Sequence, residues 1–378
     1  MSLLGTRDRL GDERFSDGQI ASALSPKFQQ LIILPTEKCN FRCTYCYEDF
    51  QIGKMKEPVQ LALERYMALR VPGLSHFSID WFGGEPLVAR NVVLRLASFA
   101  HRLCADHGVA FQGGLTTNAY LLVPELFEEL LSYNQSFYQI TFDGWKEGHD
   151  VLRRLAGGGG TFERIWSNLL ATKERTENFN ILIRIHVRRD NYESLTLLID
   201  NLAHAFGGDP RYALDFEHLR NLGGDGGKSV DRPLTLAEMR EIEAVLRVRF
   251  DDIVAAKTGS PPERAQSPSL FTKGAEGGGG QGGETPYICY AAKPNSLLVR
   301  ADGRIGKCTV ALTDDRNTIG RVNPDGTLDL DNDRLQPWIR GFADLDQKAL
   351  ECPWGGMTWQ LFAGAKAQKA QTQSFSQA

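Results

Sequence analysis

Between Phe28 and Leu222, apolar runs of strand length alternate with amphipathic stretches of helix length. The strand-like runs fall at 28–35, 77–82, 110–116, 137–142, 179–187 and 211–219. The helix-like stretches fall at 57–70, 91–107, 124–133, 161–175 and 191–206. Ile181-Leu182-Ile183-Arg184-Ile185-His186-Val187 carries the strand signal clearly, with β-branched residues and polar ones interposed. Such alternation predicts an α/β fold on a parallel sheet. Periodicity alone does not separate a curved, open barrel of six strands from a doubly wound sheet. In both, ligands bind at the carboxyl ends of the strands.

The carboxyl ends carry the polar motifs. The first strand runs through Leu31-Ile32-Ile33-Leu34 and ends at Pro35-Thr36. Three cysteines, Cys39, Cys43 and Cys46, follow in the spacing C-x-x-x-C-x-x-C. Three thiolates are one too few for a closed tetrahedral zinc site or a fully protein-ligated [4Fe–4S] cluster. A cubane on three cysteines leaves one iron open to a small molecule. The alternative is a zinc knuckle with a distant fourth ligand, but no His follows at a suitable interval. After the second strand comes Gly83-Gly84-Glu85-Pro86. Two glycines let a backbone edge approach a ligand closely, and a carboxylate beside them accepts from an ammonium. Thr116-Thr117-Asn118 ends the third strand and Thr141-Phe142-Asp143-Gly144 the fourth. Arg184 lies inside the fifth strand, where a charge is costly unless paired. Asp215 and Glu217 share one face of the sixth, because side chains two apart point the same way. Either is a candidate proton acceptor; the competing expectation is a salt bridge to Arg211 or Arg220.

This series of motifs resembles the radical S-adenosylmethionine (SAM) superfamily. The resemblance implies a partial (β/α)6 barrel in which Cys39, Cys43 and Cys46 hold a [4Fe–4S] cluster and SAM chelates the open iron. It further implies that Gly83, Gly84, Glu85 and Pro86 bind the methionyl amino group. Asn118, Thr141 and Asp143 would shape the SAM pocket, Tyr45 would lie near the adenine, and Arg184 would hold the SAM carboxylate. Ala119 stands where relatives more often have Gly, and Thr141 where Ser is more usual. The run continues through His149, Asp150, Arg153, Gly157–Gly160, Thr161 and Phe162. That is similar to SPASM-type enzymes, whose C-terminal extension carries extra clusters. For His149 and Arg153, substrate contact and a local capping and salt-bridge cluster are equally open.

The C-terminal cysteines Cys289 and Cys308 bracket Gly303 in the spacing C-x13-G-x4-C, the first half of the SPASM pattern. The second half departs from it, leaving only Cys352-Pro353-Trp354-Gly355-Gly356. Cys289, Cys308 and Cys352 are therefore candidates for one auxiliary [4Fe–4S] cluster in a truncated SPASM/twitch-like domain. Cys104 sits alone in a helical segment and reads as a small buried hydrophobe.

The expected organisation is an N-terminal arm over the first strand (1–27), the barrel (28–222), and a bridging helix with a Gly-rich linker (223–286). The auxiliary domain (287–362) and a disordered tail (363–378) complete it. Leu297–Arg300 and Arg304–Lys307 read as a hairpin turning at Asp302-Gly303. A net charge of −4 and a pI near 6.0 give no basic footprint for nucleic acid. No apolar run is long enough to span a membrane, and the N-terminus lacks a signal-peptide core. Seven cysteines in such a chain suit metal ligation in the cytoplasm better than disulfides. The resemblance implies a peptide maturase that abstracts hydrogen from a ribosomally made precursor peptide and installs a carbon–carbon or thioether crosslink. Flavodoxin or ferredoxin would serve as electron donor. Alternatives are a formylglycine-generating sulfatase-maturase and a non-catalytic Fe–S redox protein.

Overall fold

A computed structural model describes residues 15–259 and 287–362. Its frame is six parallel strands: β1 (Phe28–Ile33), β2 (His76–Trp81), β3 (Ala110–Thr117), β4 (Gln135–Phe142), β5 (Asn180–Val187) and β6 (Tyr212–His218). Each pairs with the next in chain order. The helices preceding and connecting them are α1 (Asp17–Leu24), α2 (Glu57–Arg70), α3 (Arg90–Asp106), α4 (Pro124–Ser132), α5 (Glu147–Asp150), α6 (Phe162–Ala171) and α7 (Tyr192–Phe206). Their ends carry local signals. Proline opens α2 and α4, and Asp150 Oδ1 accepts from Thr161 N (2.7 Å) and Phe162 N (2.9 Å) at the start of α6.

Strand alternation divides the sheet into two faces. Leu31, Ile79, Trp81, Ile140, Ile183 and Ile185 join the main core under the helices. Burying each contributes roughly 1.5–3 kcal/mol. Their neighbours Gln30, Ser78, Asp80, Thr116, Gln139, Thr141 and Arg184 therefore face inward. Gln30 Nε2 donates to Asp80 Oδ2 at 2.6 Å. Ser78 Oγ, Asp80 Oδ1, Thr116 Oγ1 and Gln139 Oε1 are buried there without a hydrogen-bond partner. Burial pushes the Asp80 carboxyl up to about 7.

The predicted hairpin forms, but not as a separate layer. β7 (Ser296–Val299) pairs in parallel with β1, and β8 (Arg304–Gly306), β9 (Gly320–Val322) and β10 (Leu328–Leu330) continue antiparallel. The strand order is β10-β9-β8-β7-β1-β2-β3-β4-β5-β6, an open sheet. The reason lies in β1: Ile32 and the following Leu34 present apolar side chains that Leu298 and Leu312 cover.

Of the N-terminal arm, residues 1–14 lie outside the described residues. α1, closed by a capping box of Ser16 and Gln19, lies against the C-terminal segment; its Ala23 clusters with Ile288, Ala292 and Leu350. After β6 come α8 (Gly224–Gly227) and α9 (Leu236–Thr258), the second packed on α7. α10 (Asn332–Ile339) and α11 (Gln347–Glu351) complete the fold. The glycine run 277–283 and the tail after Phe362 lie outside the described residues. Among those described, no helix is long and apolar enough to cross a membrane.

Candidate active site

The cysteine loop leaves the C-terminal end of β1 and is gripped by distant parts of the chain. Arg42 N donates to Arg154 O (2.8 Å), Thr44 N to Leu152 O (3.1 Å), and Ala156 N to Asn40 O (2.7 Å). On another side the Gly83-Gly84 turn touches its backbone. A β-carbon on Gly84 would lie 2.6 Å from Lys38 O and 2.7 Å from Glu37 O, so only glycine fits. Next to it Glu37 forms a buried, two-pronged ion pair with Arg300 just beyond β7, at 2.8 and 2.6 Å.

The three thiols of the loop are free and partly buried. Cys39 Sγ accepts from Phe41 N at 3.3 Å and lies 3.9 Å from Asn118 Nδ2. Burial raises the Cys39 thiol, and the charges of Glu85, Cys43 and Cys46 add to it. Burial, then Glu48, pushes Cys46 up to about 12. Burial also raises Cys43, against the opposing Arg153 charge. These thiols stay protonated until a metal displaces their protons. Three thiols on one loop, each able to give a thiolate to its own iron, are the donor type that a [4Fe–4S] cluster takes, so the donor set fits the cluster.

Glu85 is fully buried and braces the loop to the end of β3. Its carboxylate accepts from Thr117 Oγ1 (2.8 Å), Leu87 N (2.9 Å) and Asn118 N (2.6 Å). A carboxylate has about four acceptor sites, so one is left for a ligand. Burial pushes this group up to about 7 despite those donors. Pro86 starts the short helical turn that carries the chain away, and Asn118 Nδ2 also donates to Asn40 Oδ1 (2.8 Å).

Beneath Cys43 lies a buried polar network. Arg153 Nη1 donates to Tyr45 OH at 2.7 Å. His186 Nδ1 stands 3.0 Å from Asp143 Oδ1 and 3.2 Å from Tyr45 OH, and Asp143 N donates to His149 Nδ1 (3.4 Å). Burial opposes ionisation of Asp143, but His186 and then Arg153 outweigh it and hold the carboxyl below its usual range. Burial lowers both histidines, His149 to about 4. Asp143 Oδ2 and Arg153 Nε are buried without partners. His149 and Arg153 thus belong to one buried polar network with Tyr45, Asp143 and His186.

Arg184 Nε pairs with Asp215 Oδ2 at 2.8 Å across the β5–β6 register. Glu217 pairs with Arg220 at 3.0 Å, while Arg211 pairs with Asp209. Thr141 is buried beside Arg184 in the β4–β5 register. A cavity of about 380 Å³ opens beside Thr44 and Tyr45, walled by Leu152, Val187, Leu219 and residues 229–234.

Cys289, Cys308 and Cys352 are respectively half-buried, buried and exposed, and Cys289 lies within electrostatic reach of the other two. Burial, then Cys308 and Cys352, sets the raised Cys289 thiol at about 12. Tyr47, raised by burial, feels Glu48, Cys46 and Cys308, so it lies within electrostatic reach of both cysteine groups. Cys104 is buried in the α3 core, as its setting predicts. His186, Tyr47 and the Glu37–Arg300 pair carry no motif. For His186 a signal existed: it lies two residues past Arg184, hence on the same inward face.

Residues 33–202 match the Radical SAM superfamily. The chain therefore carries a radical SAM domain, a class that takes a [4Fe–4S] cluster and SAM. A serine-type anaerobic sulfatase-maturating enzyme of Klebsiella aerogenes is 24% identical over 39% of this chain and 37% of its own length. A GTP 3',8-cyclase of Gloeobacter violaceus is 33% identical over 36% of this chain and 40% of its own. The chain thus spans about two fifths of the curated relatives it matches. Among solved structures, native anSMEcpe with bound AdoMet and Cp18Cys peptide superposes with a TM-score of 0.58 at 18% identity, over 89% of this chain and 88% of that one. Streptococcus suis SuiB bound to precursor peptide SuiA gives 0.52 at 16%, over 77% and 62%.

Proposed function

We propose that this chain is a radical SAM peptide maturase acting on a ribosomally made precursor, in which it installs a carbon–carbon or thioether crosslink. One juxtaposition carries the reading: a three-cysteine loop beside a nucleoside-sized cavity at Tyr45, with Tyr47 within electrostatic reach of both Cys46 and Cys308. The cluster with SAM, when bound, supplies reductive cleavage of the sulfonium and hydrogen abstraction by the 5′-deoxyadenosyl radical.

The protein's part is to hold and to exclude. Cys39, Cys43 and Cys46 ligate the cluster. The Gly83–Pro86 edge, the spare acceptor site of Glu85 and Asn118 take the methionyl amino group. Arg153 holds the SAM carboxylate, because it is buried and charged with one nitrogen unpartnered, whereas Arg184 is already engaged by Asp215. Tyr45 and the cavity wall take the adenine, and Asp143 Oδ2 with Thr141 takes the ribose. The inward polar face, with its unpartnered Ser78, Asp80 and Gln139 atoms, receives the substrate side chain. Asp215 and Glu217, oriented by Arg184 and Arg220, are the proton acceptors. Cys289, Cys308 and Cys352 hold an auxiliary cluster that accepts the second electron.

The test is anaerobic reconstitution, reduction with dithionite, and measurement of 5′-deoxyadenosine against a Cys43→Ala control. Co-expression with the neighbouring small open reading frame then reads the peptide's mass change. SAM cleavage with an unaltered peptide would remove the maturase assignment. The relationship to sulfatase-maturating enzymes supports a second reading, formylglycine formation. Conversion of Cys or Ser in a sulfatase-derived peptide selects it.

A further inference from the structure

The glycine run after β6 breaks the strand–helix alternation, and in the structure it lies on the cysteine loop. A β-carbon on Gly226 would stand 2.2 Å from Cys46 O, 2.6 Å from Cys46 N and 2.7 Å from the Tyr45 carbonyl carbon. On Gly224, which has φ +65°, it would stand 2.3 Å from Tyr47 O. These are backbone atoms, so no side chain can swing aside. Ser229 Oγ donates to Thr44 O at 2.9 Å. The far end is pinned by Arg189, just past β5. It donates to Arg232 O (3.1 Å), Pro233 O (3.5 Å) and both Glu238 oxygens (2.7 and 2.8 Å). Between these anchors, residues 229–234 wall the cavity beside Tyr45.

We propose that residues 224–234 form a brace that fixes the Cys46 corner of the cysteine loop and closes the adjoining cavity, with Gly224, Gly226, Ser229 and Arg189 as its positioning residues. The contact surface is backbone against backbone, so it sets where the Cys46 main chain lies. A metal-ligating loop works only when its donors are held to within about 0.5 Å, and this loop is irregular and depends on outside contacts. The contacts of Cys39 Sγ, with Phe41 N and Asn118 Nδ2, involve no residue of the brace, so loosening the brace acts first on Cys46. The consequence for SAM rests on the function proposed above; the mechanical coupling does not.

The primary test uses full-length, metal-free protein and the iodoacetamide alkylation rate of each cysteine, read by peptide mass spectrometry. In Gly226→Ala, Cys46 is expected to react about tenfold faster than in the wild type, with a much smaller change at Cys39. Cys104 reports the core and is expected to stay protected. Gly157→Ala, which adds the same methyl in open space, is expected to change nothing. An unchanged Cys46 rate with Cys104 still protected overturns the proposal. Should Gly226→Ala lose Cys104 protection, Ser229→Ala and Arg189→Gln carry the test without adding atoms. Faster Cys46 alkylation in either supports the brace, and unchanged rates in both overturn it. In reconstituted protein, Gly226→Ala is expected to lose the SAM-induced change in the EPR line shape of the reduced cluster. Altered alkylation in a protein that never cleaves SAM would count against the proposed reaction and leave the brace standing.

Discussion

Ala119 is fully buried in the left-handed region at φ +59°, held by Thr117 Oγ1 on its N–H (3.0 Å) and Asn168 Nδ2 on its carbonyl (2.8 Å). A β-carbon in that conformation costs roughly 1–2 kcal/mol, partly offset by the entropy an unfolded glycine loses. Ala119→Gly should therefore stabilise the fold by about 0.5–1 kcal/mol, seen as a higher urea midpoint at constant slope. A lower midpoint would mean that the methyl's packing outweighs the strain. The departure from the commoner glycine was visible in the sequence; the positive φ that makes it costly was not. The two arginines pose the same contrast. Arg184 stood out as a charge within a strand, but its partner Asp215 lies on the next strand, at a register no local pattern encodes. Arg153 looked like one member of a polar run and proves to be the buried cation beside Cys43. Arg153→Gln should weaken SAM binding to the reconstituted protein by about ten- to a hundredfold, the worth of a charge-assisted bond. Calorimetric titration checks it, and an affinity within twofold of the wild type would return the carboxylate to another residue.

Elements were legible where their signal was local. α2 occupies the residues its periodicity predicts, and the six barrel strands fall where their apolar runs do. What stayed hidden is how elements meet. β7 reads as half of a hairpin, yet its parallel pairing with β1 depends on the edge that β1 would otherwise expose. β2 shows the cost of an inward polar face. Asp80 has an ordinary carboxyl value of 3.8, raised to about 7 by burial in the fold. Between those values the folded chain keeps a proton that the unfolded chain has shed. Stability is therefore lost as pH rises from about 4 to about 7, and the loss levels off above that. Asp80→Asn has no such proton and still accepts from Gln30. Its advantage over the wild type should grow by on the order of 2 kcal/mol between pH 5 and pH 8. Urea unfolding at the two values measures it. An equal difference at both would show that Asp80 is ionised in the fold. A gain in stability with a loss of peptide turnover is the pattern expected if this face receives substrate.

At the scale of the molecule, the two cysteine groups belong to one sheet. β7 and β1 are neighbours, the Glu37–Arg300 pair ties the cysteine loop to the hairpin's inner end, and Tyr47 lies within reach of both groups. Breaking that buried pair on one side leaves an uncompensated charge, so the two sites are not free to drift apart. This arrangement suits a reaction in which an electron leaves the substrate toward the C-terminal site after a hydrogen has been removed at the N-terminal one. It also makes the proposed second cluster countable. Fully reconstituted wild type should hold about eight irons per chain, and the Cys289, Cys308 and Cys352 triple alanine variant about four. That variant should still cleave SAM, because the Cys39–Cys46 loop is intact, but should fail to complete the peptide's two-electron oxidation. Mass spectrometry of the peptide, beside the 5′-deoxyadenosine yield, separates these steps. About four irons in the wild type would mean that the three C-terminal thiols ligate nothing, and the electron's destination would then have to lie outside this chain.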